Sequence, residues 1–181
     1  MVLKGPNWCK VVSLAAENGG PGGTPPTVPY VEPPHSIAQA RVDDKGRLKL
    51  PAEFLEYLRA LKVEKVFITT VDRRIARLYP IPVWKSNEGL FENAGELAEL
   101  AEDVAYVAKY YGGDSVIDPQ GRVLMPALLR DLLELESQPV YLDVYKGRIN
   151  VATKQVHEER LNRALANLPD KVKTLEKGGL K

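Results

Sequence analysis

Residues 43–51 read Asp-Asp-Lys-Gly-Arg-Leu-Lys-Leu-Pro, and residues 118–126 read Asp-Pro-Gln-Gly-Arg-Val-Leu-Met-Pro. The pattern Asp-x-x-Gly-Arg-x-x-x-Pro thus stands twice in one chain of 181 residues. An aspartate opening a tight turn accepts hydrogen bonds from backbone N–H groups two residues on, and a glycine at the fourth position supplies the φ that closes it. Asp43 with Gly46 and Asp118 with Gly121 are read as that turn chemistry. Leu48 and Leu50 then flank Lys49 with the period of a half-buried strand. Pro51 and Pro126 are each expected at the first position of a helix, where a missing N–H costs nothing.

Outward from each motif the same order of elements is expected twice. In the first round AQARV leads into the turn, RLKL follows, PAEFLEYLRAL has helical spacing at Phe54, Leu55, Leu58 and Leu61, and the β-rich runs KVFITTV and RIARLY are parted at Asp72-Arg73. In the second, DSVI precedes the turn, RVLM follows, PALLRDLLEL is helical, and PVYLDVY and RINVAT are parted at Lys146-Gly147. Val42/Ile117, Leu50/Met125 and Phe54/Leu129 match in physical role as well as order, which chance identities do not supply. Between the rounds, Leu97, Leu100, Ala101, Val104, Val107 and Ala108 recur at helical intervals and predict a linking helix that ends at Gly112-Gly113.

These boundaries divide the chain into an N-terminal extension and Pro/Gly linker over 1–36, a first repeat over 37–86, a linking helix within 87–114, a second repeat with a C-terminal helix over 115–168, and a frayed charged tail over 169–181. Residues 17–36 hold four Gly and six Pro, too little apolar surface to offset the entropy of ordering. The preceding segment, with Trp8 and Val11-Val12, is read either as a docking strand or as an unstructured leader.

Composition excludes several classes. With 44% hydrophobic and 27% charged residues the chain is globular rather than disordered. Cys9 is the single cysteine, so neither an internal disulfide nor a paired-thiolate zinc site is possible. His35 and His157 lack neighbours at metal-ligand spacing, and His157 reads as a solvated or packed residue. No metal or cofactor is expected. No Gly-x-Ser-x-Gly elbow and no phosphate-cradling Gly-rich loop is present, so an enzyme is not expected. No apolar run reaches the roughly 20 residues of a membrane span, and the expected location is the cytoplasm.

The formal net charge is only +1. Its distribution is uneven: residues 36–86 carry 11 Lys and Arg against 6 Asp and Glu, whereas residues 87–114 carry 1 against 7. Such asymmetry suits a polyanionic partner and also occurs on inert solvated faces. Arg47 and Arg122 are the motif positions that no turn requires. Each either pairs with its motif aspartate or is displayed to a partner; a two-stranded ribbon fits the DNA major groove, and arginine forks onto guanine or phosphate. Arg41, Lys45 and Lys49 are further candidates, from charge and strand alternation.

Three stretches together resemble the MraZ transcriptional regulators, a tandem branch of the swapped-hairpin AbrB/MazE/SpoVT group: Asp43-x-Lys45-Gly46-Arg47-x-x-x-Pro51-x-x-Phe54, Leu78-Tyr79-Pro80-x-x-x-Trp84, and Asp118-x-Gln120-Gly121-Arg122-Val123-Leu124-Met125-Pro126-x-x-Leu129-Arg130. The likeness runs from about Ile37 to Leu168. It implies an α+β fold, a double-split, swapped-hairpin β-barrel built from two tandem repeats with short helices. It also implies a nucleoid-associated homo-oligomeric ring that binds short direct repeats in double-stranded DNA upstream of its own operon and represses the division and cell-wall gene cluster. Its principal DNA contact maps to Arg47, with Arg122 as the second copy. The first repeat has Leu55 where the family usually has arginine; Arg130 keeps it in the second. The competing expectation is a protein-interaction module such as an antitoxin-like barrel.

Overall fold

The computed structural model describes residues 31–136 and 138–181. Most of the expected leader, residues 1–30, lies outside the described residues, and the readings of Trp8 and Val11-Val12 lie there with it.

The first half runs β1 (Ala38–Ala40), β2 (Arg47–Lys49), α1 (Ala52–Ala60), β3 (Lys65–Thr69) and β4 (Ile75–Pro80), then α2 (Ile81–Glu92). After a 3-10 turn at Gly95–Leu97 comes α3 (Ala98–Tyr111). The second half runs β5 (Gly113–Val116), β6 (Arg122–Leu124), α4 (Ala127–Leu133), β7 (Val140–Tyr145), β8 (Arg148–Thr153), α5 (Lys154–Leu165) and α6 (Leu168–Lys177). This is a mixed α+β fold in which every strand pairing is antiparallel.

The strands form an open six-stranded sheet, β1-β7-β8-β4-β3-β5, and a separate two-stranded ribbon, β2-β6. This corrects the closed barrel implied by the resemblance: β1 and β5 are sheet edges that do not meet. The order reads the same from either end when β1–β4 are exchanged with β5–β8. The exchange carries Leu48 onto Val123, its own cross-strand partner. Counted back from Pro80 and Thr153, which end β4 and β8, it also carries Arg77 onto Asn150, again its own partner. The first strand of each half lies against the hairpin of the other, so neither half closes its sheet alone.

Alternation along the strands sorts the two faces. Val66, Ile68, Ala76, Leu78, Val140, Leu142, Ile149 and Val151 face inward and are buried with Phe54, Leu58, Leu129 and Leu135 from the α1 and α4 regions and with Leu48 and Val123 of the ribbon. A fully buried side chain of this size contributes about 1.5–3 kcal/mol through removal from water. On the outer face Tyr79, Trp84 and Ala108 make a second cluster with Phe67 and Phe91. There the Trp84 ring lies 4.4 Å from Phe67, 5.2 Å from Tyr79 and 6.1 Å from Phe91. The Thr69 hydroxyl donates to the Ala108 carbonyl at 2.6 Å and pins α3 over this cluster.

Local chemistry sets the helix ends, with three departures from the sequence reading. Pro51 and Pro126 precede α1 and α4 as extended caps, with ψ of 151° and 137°, rather than occupying the first helical position; the Pro51 carbonyl accepts from Phe54 and Leu55 at 3.1 Å. The single linking helix is a pair, α2 and α3, because the chain leaves helical geometry at Asn93. The tail is helical over Leu168–Lys177: left-handed Asn167 (φ 55°) ends the run from Lys154 early, and Pro169 is tolerated in a first turn. At the C-termini of α1 and α4, Lys62 (φ 56°) and Glu134 (φ 51°) take the left-handed position usually given to glycine. The next residues then bond back, Val63 N–H to Leu58 O at 2.9 Å and Leu135 N–H to Arg130 O at 3.1 Å. Among the described residues no helix is long and apolar enough to cross a membrane.

Candidate nucleic-acid interface

The two motif turns have the same hydrogen bonding. The first Asp43 carboxylate oxygen accepts from Lys45 N–H at 3.0 Å and Arg47 N–H at 2.8 Å. The second oxygen accepts from Arg47 Nε at 2.8 Å and pairs with its Nη2 at 2.7 Å. Gly46 N–H closes the turn on the Asp43 carbonyl at 2.9 Å, with φ 74°. Asp118 repeats this with Gln120 N–H and Arg122 N–H at 2.9 Å, Arg122 Nε at 2.7 Å, and Gly121 at φ 74°. The reading in which each arginine pairs with its motif aspartate is therefore what the geometry displays. About 30% of the Arg47 side chain and 28% of the Arg122 side chain remain exposed.

The β2·β6 ribbon joins the two turns, one at each of its ends. Arg47 lies opposite Leu124, Leu48 opposite Val123, and Lys49 opposite Arg122. Because side chains alternate, Leu48 and Val123 go down into the core while Arg47, Lys49, Arg122 and Leu124 share the outward face. Leu50 N–H donates to Gly121 O at 3.0 Å and Met125 N–H to Gly46 O at 2.9 Å, so each strand's end is held by the other half's turn. The Lys49 ammonium donates to the Gln120 carbonyl across the ribbon. Lys45 is exposed at the tip of the first turn. Arg41 is exposed between β1 and that turn, and no hydrogen bond or ion pair holds it among the described residues.

Tertiary packing adds two residues that the motif search did not treat as part of the site. Arg130 of α4 lies against Gly46, and Leu55 of α1 lies against Gly121; a Cβ at either glycine would collide with that side chain. Each half's helix therefore braces the other half's turn. The two positions are equivalent, yet one carries a guanidinium, paired with Glu136, and the other a leucine. The sequence forewarns of them in that Leu55 and Arg130 stand four residues after Pro51 and Pro126, at the position where the resemblance marks an arginine kept only in the second repeat. The first turn has Lys45 where the second has Gln120, but also Asp44 where the second has Pro119, so the two turns balance alike in charge and differ in what stands behind them.

The carboxylates stay ionised. Asp43 is lowered from 3.8 to about 2, chiefly by the Arg47 side-chain hydrogen bond and then by Arg47's backbone N–H. At Asp118 burial is the largest influence and pushes upward, but the Arg122 backbone and side-chain bonds outweigh it and the net direction is down. Among the described residues no cluster of three or more His, Cys, Asp or Glu could hold a metal ion. Tyr79 and Trp84 are buried in the outer-face cluster, and His157 stacks on Tyr141 at 4.1 Å.

No protein-family model matches the chain. Curated relatives do. It is 34% identical over 99 residues to a Koribacter versatilis protein, covering 54% of this chain and 67% of the relative. It is 30% identical over 121 residues to an Acidobacterium capsulatum protein, covering 67% and 82%. It is 28% identical over 140 residues to one from Solidesulfovibrio magneticus, covering 77% and 91%. All three bear the name transcriptional regulator MraZ, and the level of identity over most of their length shows that this chain belongs to the MraZ family.

Proposed function

We propose that the chain is a DNA-binding transcriptional regulator that meets the duplex with the outward face of the β2·β6 ribbon. One observation carries the reading: Arg47, Lys49 and Arg122 project together from a two-stranded ribbon whose opposite face is sealed by Leu48 and Val123. Such a ribbon fits a major groove, and three cations on it reach phosphates or base edges. Lys45 extends the surface at the tip, and Arg41 flanks it.

The aspartates have a part in this reading. Each holds its arginine by one edge, so the guanidinium is already ordered when DNA arrives and less side-chain entropy is lost on contact. The interleaved strand order supports two tandem swapped-hairpin repeats, over 37–86 and 115–168, that fold as one unit. Exposed Leu90, Leu97 and Leu100 in the α2–α3 region, which packs on β3 and β4, and Leu161 and Leu165 of α5, which packs on β7 and β8, support assembly of several copies. Several ribbons then engage successive direct repeats upstream of the chain's own operon and repress it, on the nucleoid in the cytoplasm.

The test is DNA binding to the chain's own upstream region. Arg47→Ala is expected to abolish the gel shift while leaving the circular dichroism spectrum intact. Loss of the folded spectrum instead would assign Arg47 to holding the turn and overturn its role as a contact.

A further inference from the structure

The two halves match strand for strand, but one of them lacks its outer-face aromatic packing. Both α2 and α5 begin directly after a sheet strand, at Ile81 after Pro80 and at Lys154 after Thr153. Counting from those junctions, Tyr79 corresponds to Ala152, Trp84 to His157 and Phe91 to Ala164. Phe67 faces Tyr79 across β3·β4 as Tyr141 faces Ala152 across β7·β8, so Phe67 corresponds to Tyr141. The aromatic cluster of the first half is therefore rebuilt in the second as Tyr141, Ala152, His157 and Ala164. One ring pair survives as the stacked Tyr141 and His157, only 6° from parallel. The rings of Tyr79 and Phe91 are replaced by methyl groups, and the indole of Trp84 by a smaller imidazole.

The missing volume is present as space. A cavity of about 290 Å³ lies where the aromatic cluster would stand, and all four of those residues line it. Residues 34–37, which lead into β1, form one wall, in the place that the end of α3 takes before β5. Arg160 and Asp143 line it as well, and their charged groups are 3.6 Å apart, too far for a good hydrogen bond. Arg160 is half exposed, so its N–H groups are accessible from the cavity mouth.

We propose that this cavity is a binding site for a small planar aromatic acid of one or two rings. The ring takes the place of the absent Tyr and Phe rings, against the Tyr141–His157 stack, where offset or edge-on aromatic contact is favourable. The acid group forks onto Arg160, which Asp143 holds only loosely.

The experiment titrates the full chain with indole-3-carboxylate and, separately, with neutral indole, using calorimetry and saturation-transfer NMR. For ligands of this size a dissociation constant of ~0.1–1 mM is expected for the acid, with indole weaker. Ala164→Phe restores the ring present at Phe91 and is expected to weaken both ligands at least about tenfold, by occupying the space. His157→Trp is the second filling variant and the check should Ala164→Phe not fold. Arg160→Gln is expected to bring the acid to the affinity of indole and leave indole unchanged. Absence of binding by the wild-type chain at ~5 mM, well above the expected constant, would overturn the site. So would undiminished binding in a folded filling variant. Equal loss of both ligands in Arg160→Gln would overturn the assignment of the acid group.

Discussion

At the scale of single residues, Asp43 and Arg47 do two things at once. The carboxylate shuts the turn through three backbone and side-chain donors, and the same contact aims the guanidinium. Because the folded-state carboxyl is depressed to about 2 from an ordinary 3.8, its contribution to stability is fully present above about pH 4 and is lost as pH falls through 2. Denaturation of wild type and Asp43→Asn should therefore differ by a constant amount from pH 8 to pH 5, and the difference should shrink between pH 4 and pH 2; a gap that persists to pH 2 would refute the pairing. Lys49 separates contact from structure more cleanly, since it is exposed and braces only the Gln120 carbonyl. Lys49→Gln should reduce DNA affinity about five- to tenfold and flatten the salt dependence by roughly one unit of slope. Its melting temperature should move by no more than about 2 °C.

At the scale of elements, the helices after each motif are stopped by geometry more than by residue type. Lys62 is exposed and holds a left-handed conformation that disfavours any side chain. Lys62→Gly should stabilise the fold by about 0.5–1 kcal/mol in urea denaturation, because it relieves that strain at a helix end rather than loosening a helix interior. A destabilised variant would mean that the lysine side chain makes a contact worth more than the strain. The ribbon shows how an element can be built from both halves of the chain. Leu48 and Val123 are buried against each other although 75 positions apart in sequence, so neither turn presents its arginine correctly without the other half.

At the scale of the whole molecule, a chain of net charge +1 binds a polyanion only by concentrating its cations and repeating them. One ribbon neutralising two or three phosphates gives a slope of log affinity on log salt of about −2 to −3, and weak binding. Linkage of several ribbons in one assembly raises avidity by about 10²–10⁴. Sedimentation should therefore report a particle several times the 20.1 kDa of one chain. Anisotropy titrations should show affinity that falls steeply with salt and grows with the number of repeats in the probe. Affinity that is independent of salt would remove the electrostatic basis of the reading.

What the sequence determined by itself were the features written in short spacings: both turns, the alternating Leu48-Lys49-Leu50, the apolar faces of α1 and α4, and the β-rich runs. Their causes are local, in an aspartate two residues from the N–H it accepts, a glycine at positive φ, and periods of 2 and 3.6. Only the tertiary structure decided that β2 pairs with β6 and β1 with β7, that Arg130 stands behind Gly46 and Leu55 behind Gly121, and that the sheet stays open. Those contacts join residues many tens of positions apart, and no local pattern distinguishes a hairpin that pairs with itself from one interleaved with its twin. The cavity lay deeper still: Ala152 and Ala164 are unremarked letters, and His157 reads as no more than a solvated or packed residue, until pairing across the sheet aligns them with Tyr79, Trp84 and Phe91. Empty space has no letter of its own, and it is visible only as the difference between two halves that otherwise pack alike.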